Sequence, residues 1–303
     1  MKGLLDLIII GAGPAGITAA VYAARKKMNL LVITEDIGGQ TAWSGDIENY
    51  TGYQFVSGPE LVAKFEEHMR KYDITFKENE KVVELKKKEK NIYLKTDKGE
   101  YEAKTVIISS GKRSRELGVP GEKEFKNKGL TYCATCDGPL FSNKEVAVIG
   151  GGNSALDAAL QLINIANKVY IINITKDLTG DPIMQEKVKN SNKVTILNNA
   201  QVTCVLGDKF VTGIKVKTEG EEKEYPVQGV FVEIGLIPNS QFAKDVEKNK
   251  IGEIKVDNYN STNILGIFAA GDVTDVPEKQ IIIAAGEGAK ATLGAFKYLS
   301  KLK

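Results

Sequence analysis

Cys133-Ala134-Thr135-Cys136-Asp137 places two thiols in one short loop, with a carboxylate directly after the second. A Cys-x-x-Cys pair can close a local disulfide, and the arrangement lowers one thiol's pKa so that thiolate is available near neutral pH. The pair is therefore suited to exchange with the disulfide of another molecule. Structural zinc is the competing use, but it needs four ligands, and outside the pair the chain offers only Cys204 and His68 as Cys or His. A purely structural bridge would call for an oxidising compartment, which nothing in the composition suggests.

Two glycine turns must position this chemistry. The apolar run Leu7–Ile10 leads into Gly11-Ala12-Gly13-Pro14-Ala15-Gly16, then a helical stretch over Ile17–Arg25 and a second strand over Leu30–Thr34, with Glu35 after it. Strand, glycine turn, helix, strand and acid is the dinucleotide fingerprint: the first glycine makes the turn, the second admits a pyrophosphate, the third lets helix and sheet approach, and the acid meets a ribose hydroxyl. Pro14 suits a first helical turn. The pattern restarts with a strand over Glu145–Ile149, the turn Gly150-Gly151-Gly152-Asn153-Ser154-Ala155, a helix over Ser154–Ile165 and a strand over Val169–Ile172. Two such units imply two dinucleotides, or one dinucleotide and a second turn that only builds the sheet.

Near the end, Ile267-Phe268-Ala269-Ala270-Gly271-Asp272 reads as a strand closing on glycine and aspartate, ahead of Gln280 and a small-residue helix over Ala284–Leu293. An acid beside a helix N-terminus can seat a ribityl or pyrophosphate group. If this segment completes the first unit, the unit carrying the cysteines is an insertion. The expectation is an α/β protein of two Rossmann-like dinucleotide-binding domains, residues 1–113 with 244–303 forming one and 114–243 the other.

With 303 residues there is enough chain for two cores, and a 42% hydrophobic, 26% charged composition is that of a water-soluble globular protein. A net charge of +2 gives no strong attraction to nucleic acid or anionic membrane. Three cysteines, no signal-like segment and no membrane-length apolar run predict a cytoplasmic protein. Lys86–Lys90, interrupted by Glu89, reads as a solvated hairpin rather than a basic docking patch. His68 falls among glutamates in a helix over Pro59–Tyr72, and Cys204 in a strand over Val202–Leu206 as an inert buried thiol. Arg113 and Arg115 read as linker-stabilising charges.

Taken together, Gly11–Gly16, Gly38-Gly39-Gln40, Ile47-Glu48-Asn49-Tyr50, Cys133–Gly138, Gly150–Ala155 and Ala269-Ala270-Gly271-Asp272 resemble the low-molecular-weight thioredoxin reductase family over essentially the whole chain. From Gly229 through Lys290 the chain is also similar to the reductase portion of the alkyl hydroperoxide reductase flavoprotein. The resemblance implies a homodimer with FAD held by the first and last segments, through Gly11, Gly13, Pro14, Ala15, Gly16, Glu35, Gly39, Gln40, Asn49, Gly271, Asp272 and Gln280. It assigns Gly150, Gly152, Asn153, Ser154 and Ala155 to a pyridine nucleotide. Cys136 would face the flavin, Cys133 would attack a thioredoxin disulfide, and Asp137 would supply the proton. Electrons would pass from a nicotinamide to FAD, then to the cysteine pair, then to thioredoxin, with a hinge rotation presenting in turn the nicotinamide and the disulfide to the flavin.

The electron donor is where the match fails. NADPH-using members carry a basic cluster after the second strand of the inserted unit. Here that stretch is Ile172-Asn173-Ile174-Thr175-Lys176-Asp177, with one lysine and no arginine. A guanidinium grip on a 2′-phosphate is missing, and Asp177 and Asp181 would repel it. Nor does Asn173 offer the acid that favours NADH. NADH, NADPH disfavoured on charge, and a ferredoxin donor all stay open. Rival activities are a ferredoxin-type NADP reductase, which needs no cysteine pair, and a flavin-dependent dithiol oxidase on the same scaffold.

Overall fold

The computed structural model describes residues 4–43, 46, 47 and 49–302; the side chains of Trp43, Asp46 and Cys136 lie outside that description, as does Glu48, one of the residues carrying the resemblance. Two compact units divide the chain, Met1–Arg113 with Ile237–Lys303, and Ser114–Leu236. The return to the first unit thus lies at 236/237 rather than the expected 243/244. The reason is packing: Ala243 and Val246 are buried in the first unit's core beside Leu31, Ile254 and Val273.

The first unit is built on a sheet whose described strands run, edge to edge, Thr75–Lys77, Leu30–Ile37, Leu5–Ala12, Glu100–Ile108, Asn91–Thr96 and Val82–Lys88, with Ile267–Ala269 added beside Glu100–Ile108. Leu5–Ala12 is parallel to both neighbours, so it is central and nearly all apolar. Its side chains alternate between faces. Leu7 and Ile9 join the helices Pro14–Arg25 and Ile281–Lys301 in one core, while Ile8 and Ile10 pack on the opposite face with Leu85, Leu94 and Val106. The C-terminal helix runs well beyond the expected Ala284–Leu293 in both directions, because Ile281 to Lys301 holds neither proline nor any strong stop. Lys86–Lys90 does turn a hairpin, between Val82–Lys88 and Asn91–Thr96.

The second unit carries a parallel sheet in the order Leu130–Thr131, Gly229–Val232, Glu145–Ile149, Lys168–Ile172, Val194–Leu197 among the described strands. Val146 and Val148 face the helix Asn153–Ile163, and Ala147 and Ile149 face the antiparallel meander Ala200–Gly207, Val211–Thr218, Glu221–Tyr225. In that meander the register shifts between Val202 and Cys204. The extra residue leaves Cys204 free and half-exposed, not buried as expected.

The chain crosses between the units twice, and each crossing is fastened locally. In the first unit Arg113 Nη1 donates to Asn239 Oδ1 at 2.8 Å and to Gln241 Oε1 at 3.2 Å, and Ser110 Oγ donates to the Asn239 carbonyl at 2.6 Å. In the second, Arg115 N donates to the Gly235 carbonyl at 2.9 Å. Among the described residues no helix is long and apolar enough to cross a membrane.

Candidate functional site

In the first unit, Gly11 and Gly13 stand in the same turn for different reasons. Gly11 has φ +98°, and a Cβ there would fall 2.5 Å from the Ser109 carbonyl oxygen, so the fold itself demands glycine. At Gly13 φ is −76° and a Cβ would meet nothing nearer than the Gly38 oxygen at 3.9 Å. No protein atom needs that space, which is where a pyrophosphate would approach the backbone. Pro14 opens the helix, Ala15 is buried, and a Cβ on Gly16 would come 1.9 Å from the Gly11 oxygen. The segment after the second strand closes over the turn: Gly38 N donates to the Ala12 carbonyl at 2.8 Å, and Ala12 N donates to Thr34 Oγ1 at 3.1 Å.

Around this turn lie the other expected ligands of the first unit. Glu35 is exposed and pairs with Lys81 at 3.2 Å, a contact weak enough to yield to a ribose. Gln40 Nε2 donates to the Lys112 carbonyl at 3.0 Å. Asn49 Nδ2 donates to Gln280 Oε1 at 3.0 Å, joining residues from opposite ends of the sequence. Gly271 takes φ +77°, and its N–H donates to Glu287 Oε2 at 2.7 Å. Burial pushes the Asp272 carboxyl up, opposed by the charges of Lys279 and Lys112. Among the described residues no hydrogen bond reaches that carboxylate. A largely buried acceptor without a donor suits a hydroxylated chain such as ribityl.

Sequence reasoning missed a charge cluster beside Asp272. Lys112 Nζ lies 2.7 Å and Lys279 Nζ 3.2 Å from Glu253 Oε1, with Asn249 Nδ2 2.6 Å from Oε2. Burial raises the Glu253 pKa, but the bonds from Lys112, Asn249 and Lys279 outweigh it and hold the carboxyl below the usual range. No local spacing announces this cluster, whose members meet only when the sheet brings three distant loops together.

In the second unit, Cys133 is disulfide-bonded. The helical turn Ala134–Asp137 follows it, with Asp137 N donating to the Cys133 carbonyl at 3.2 Å. Thr131 organises this turn: its hydroxyl donates to the Asp137 carboxylate and accepts from Cys133 N at 3.2 Å. Thr135 Oγ1 donates to Gln161 Oε1 at 2.9 Å, and Gln161 Nε2 donates to Asp157 Oδ2 at 2.9 Å, tying the turn to the helix Asn153–Ile163. A second unforeseen acid, Glu233, accepts the Ala134 N–H; burial first, and the charge of Asp157 second, push it up to about 7.

The second glycine turn repeats the logic of the first. Gly150 has φ +136° and a Cβ would sit 2.2 Å from the Glu233 carbonyl oxygen, whereas at Gly152 the nearest atom would be Thr179 Oγ1 at 3.8 Å. Asn153 and Ser154 begin the helix exposed, and Ala155 is fully buried in the place of the third glycine. The Asn153 side chain accepts from Asp181 N at 2.6 Å, and Thr179 N donates to the Gly151 carbonyl at 2.8 Å, so the loop before Pro182 lies across the turn. Asn173 is only 2% exposed, and its amide is consumed internally: Nδ2 donates to the Thr175 carbonyl at 3.0 Å and Asn198 Oδ1 at 2.9 Å, while Oδ1 accepts from Thr175 Oγ1 at 2.9 Å. Ile174, Thr175, Lys176 and Asp177 are exposed beyond it.

An α/β sheet pair with two open glycine turns and a disulfide beside the second defines a two-domain dinucleotide-binding oxidoreductase. The chain belongs to the pyridine nucleotide-disulphide oxidoreductase family, whose model matches residues 5–288. That family is FAD-dependent and uses NAD(P)H. Relatives include an NADH dehydrogenase of Bacillus subtilis (strain 168), 45% identical over 98% of this chain, and a flavoprotein component of the alkyl hydroperoxide reductase of Staphylococcus aureus (strain MRSA252), 43% identical over 97%. The chain spans only 59% of the length of each. Thioredoxin reductases supply the similar solved structures. That of Lactococcus lactis has TM-score 0.87 at 35% identity, covering 98% of this chain and 99% of that one. That of T. acidophilum has TM-score 0.84 at 40% identity, covering 99% of both. A ferredoxin-flavin thioredoxin reductase from Clostridium acetobutylicum is also similar, at TM-score 0.55, 32% identity and 98% of both chains.

Proposed function

We propose that this chain is a thioredoxin-disulfide reductase that passes electrons from a donor, through FAD, to the Cys133–Cys136 disulfide and on to thioredoxin or a thioredoxin-like protein. The observation that carries this reading is the disulfide at Cys133, held in a turn that Thr131 and Gln161 fix within the same unit as an open glycine turn. A bond placed for structure would gain nothing from this arrangement, whereas an exchanging one needs its turn kept in shape through both redox states. The chain is proposed to act as a homodimer in the cytoplasm.

FAD in the first unit would supply a two-electron relay between donor and disulfide. Gly13 would leave room for its pyrophosphate, Glu35 would take the adenosine ribose, Asp272 would accept from the ribityl chain, and Gln40, Asn49 and Gln280 would border the ring. Lys112 and Lys279, neutralised by Glu253, would keep the Asp272 carboxylate ionised beside them. Asp137, aligned by the Thr131 hydroxyl, would move the proton at the cysteine pair; Cys136 would face the flavin and Cys133 the partner. Alternating access to nicotinamide and disulfide would come from rotation about the two fastened crossings.

For the donor, NADH is favoured over NADPH. The open Gly152 turn leaves space for a dinucleotide, but nothing after Ile172 can grip a 2′-phosphate, and the name of the Bacillus subtilis relative points the same way. A second reading is a ferredoxin donor, favoured by the internal consumption of Asn173, which leaves no side chain for the ribose diol either. Anaerobic titration of the oxidised holoenzyme with NADH, NADPH and reduced ferredoxin distinguishes the three by flavin bleaching. Bleaching by NADPH at micromolar levels would contradict the charge reading.

A further inference from the structure

Glu233 stands between the second glycine turn and the redox turn. It directly follows the strand Gly229–Val232, its N–H donates to the Ile149 carbonyl at 2.8 Å, and its own carbonyl fills the space beside Gly150. Its carboxylate accepts the N–H of Ala134, the residue next to the disulfide-bonded Cys133. Asp157 is the charged group facing it, from the helix Asn153–Ile163, and Asp157 reaches the same redox turn through Gln161 and Thr135. The strand Glu145–Ile149 presents the Ile149 carbonyl, and the redox turn presents the Ala134 N–H. Two carboxylates thus share a part-buried space against the cysteine pair, and none of the roles assigned above uses either of them.

We propose that Glu233 is the proton store of the redox pair, its carboxylate taking up one proton when the disulfide at Cys133 is reduced and releasing it when the disulfide closes again. Like charges in a poorly solvated space cannot all be ionised together. Asp157 already opposes ionisation of Glu233 in the oxidised protein, and burial adds to it, so that the carboxyl titrates near neutrality. Reduction places a further negative charge, a thiolate, one residue from its hydrogen-bond partner. The balance is complete with a dithiol as reductant. The dithiol gives up two electrons and two protons and closes to its own disulfide; the S–S bond at Cys133 breaks; one sulfur takes one proton, the other stays a thiolate, and the second proton goes to Glu233. Above neutral pH a reduced pair therefore keeps a thiolate ready for attack without adding net charge to the unit. Asp137 remains the group that moves protons at the sulfurs, and Glu233 acts at one remove, as a positioning residue that sets the charge beside them.

This inference rests on the disulfide-reductase reading, and its test separates the two. The holoenzyme and Glu233→Gln are equilibrated anaerobically in dithiothreitol redox buffers from about pH 6 to about pH 8.5, and the reduced fraction at Cys133 is read by alkylation and peptide mass. Above about pH 7 the wild type should take up about two protons per disulfide reduced and Glu233→Gln about one, so its potential should fall about twice as steeply with pH. Asp157→Asn keeps the carboxyl at 233 and removes its charged neighbour, so the break in the wild-type profile should move to lower pH. This second variant stays informative if Glu233→Gln does not fold. Parallel pH profiles in wild type and Glu233→Gln, or an unmoved break in Asp157→Asn, would overturn the proton store. Divergent profiles in an enzyme that reduces no thioredoxin would remove the functional reading and leave the store standing, and a pair that no buffer reduces would remove both.

Discussion

Lys112 Nζ lies 2.7 Å from Glu253 Oε1 with the two side chains only 10% and 9% exposed, and Lys279 approaches the same oxygen at 3.2 Å. Removing the acid strands two poorly solvated ammonium groups, so Glu253→Ala should cost about 3–5 kcal/mol in urea denaturation of the holoprotein. The sign with pH follows from the lowered carboxyl. Its stabilisation is full above the ordinary value of 4.5 and is lost as pH falls through the lower folded value. The gap between wild type and variant should therefore close on acidification.

Gly11 and Gly13 separate folding from binding. Gly11→Ala forces a Cβ to 2.5 Å from the Ser109 oxygen at a φ of +98°, and should lower the melting temperature of the apoprotein. Gly13→Ala meets nothing within 3.9 Å and should fold normally, yet purify with little or no yellow flavin. A fully flavinylated Gly13→Ala protein would place the cofactor elsewhere.

Both glycine turns were legible because a strand, a φ-demanding glycine and a close helix must be neighbours in sequence. So was the cysteine turn. The domain return was not: Gln241–Lys244 looks like linker by composition, and only the core around Ile254 and Val273 shows that Ala243 is already inside the first unit. Glu253 and Glu233 escaped for the same reason, since each gains its meaning from partners more than 90 residues away in the chain, Lys112 for one and Ala134 for the other. Cys204 was misjudged because a bulge shifts the alternation of its strand.

Glu233 should also cost the folded state stability at alkaline pH. Its pKa, raised to about 7, means that the folded protein is favoured while the group is protonated, and that this advantage is lost as pH rises from the ordinary 4.5 through 7. Glu233→Gln should therefore gain on the wild type as pH rises, by up to about 3 kcal/mol at pH 8, with little difference below about pH 5. Paired urea titrations at the two ends of this range check it.

Ile174 is 69% exposed just past the second strand of the inserted unit, where a 2′-phosphate grip would have to stand. Ile174→Arg with Asp177→Ser should raise affinity for NADPH at least ~10-fold while leaving NADH little changed. Flavin bleaching curves with each nucleotide give both constants, and unaltered NADPH affinity would mean that the second turn does not hold a nicotinamide nucleotide.

The most direct test of electron flow through the cysteine pair compares wild type with Cys136→Ser, each as anaerobic holoenzyme given a donor that bleaches its flavin. The wild type should pass those electrons on, exposing Cys133 to alkylation and reducing added thioredoxin. Cys136→Ser should still bleach but reduce thioredoxin at least ~1,000-fold more slowly. Equal thioredoxin reduction by the two proteins would contradict the account.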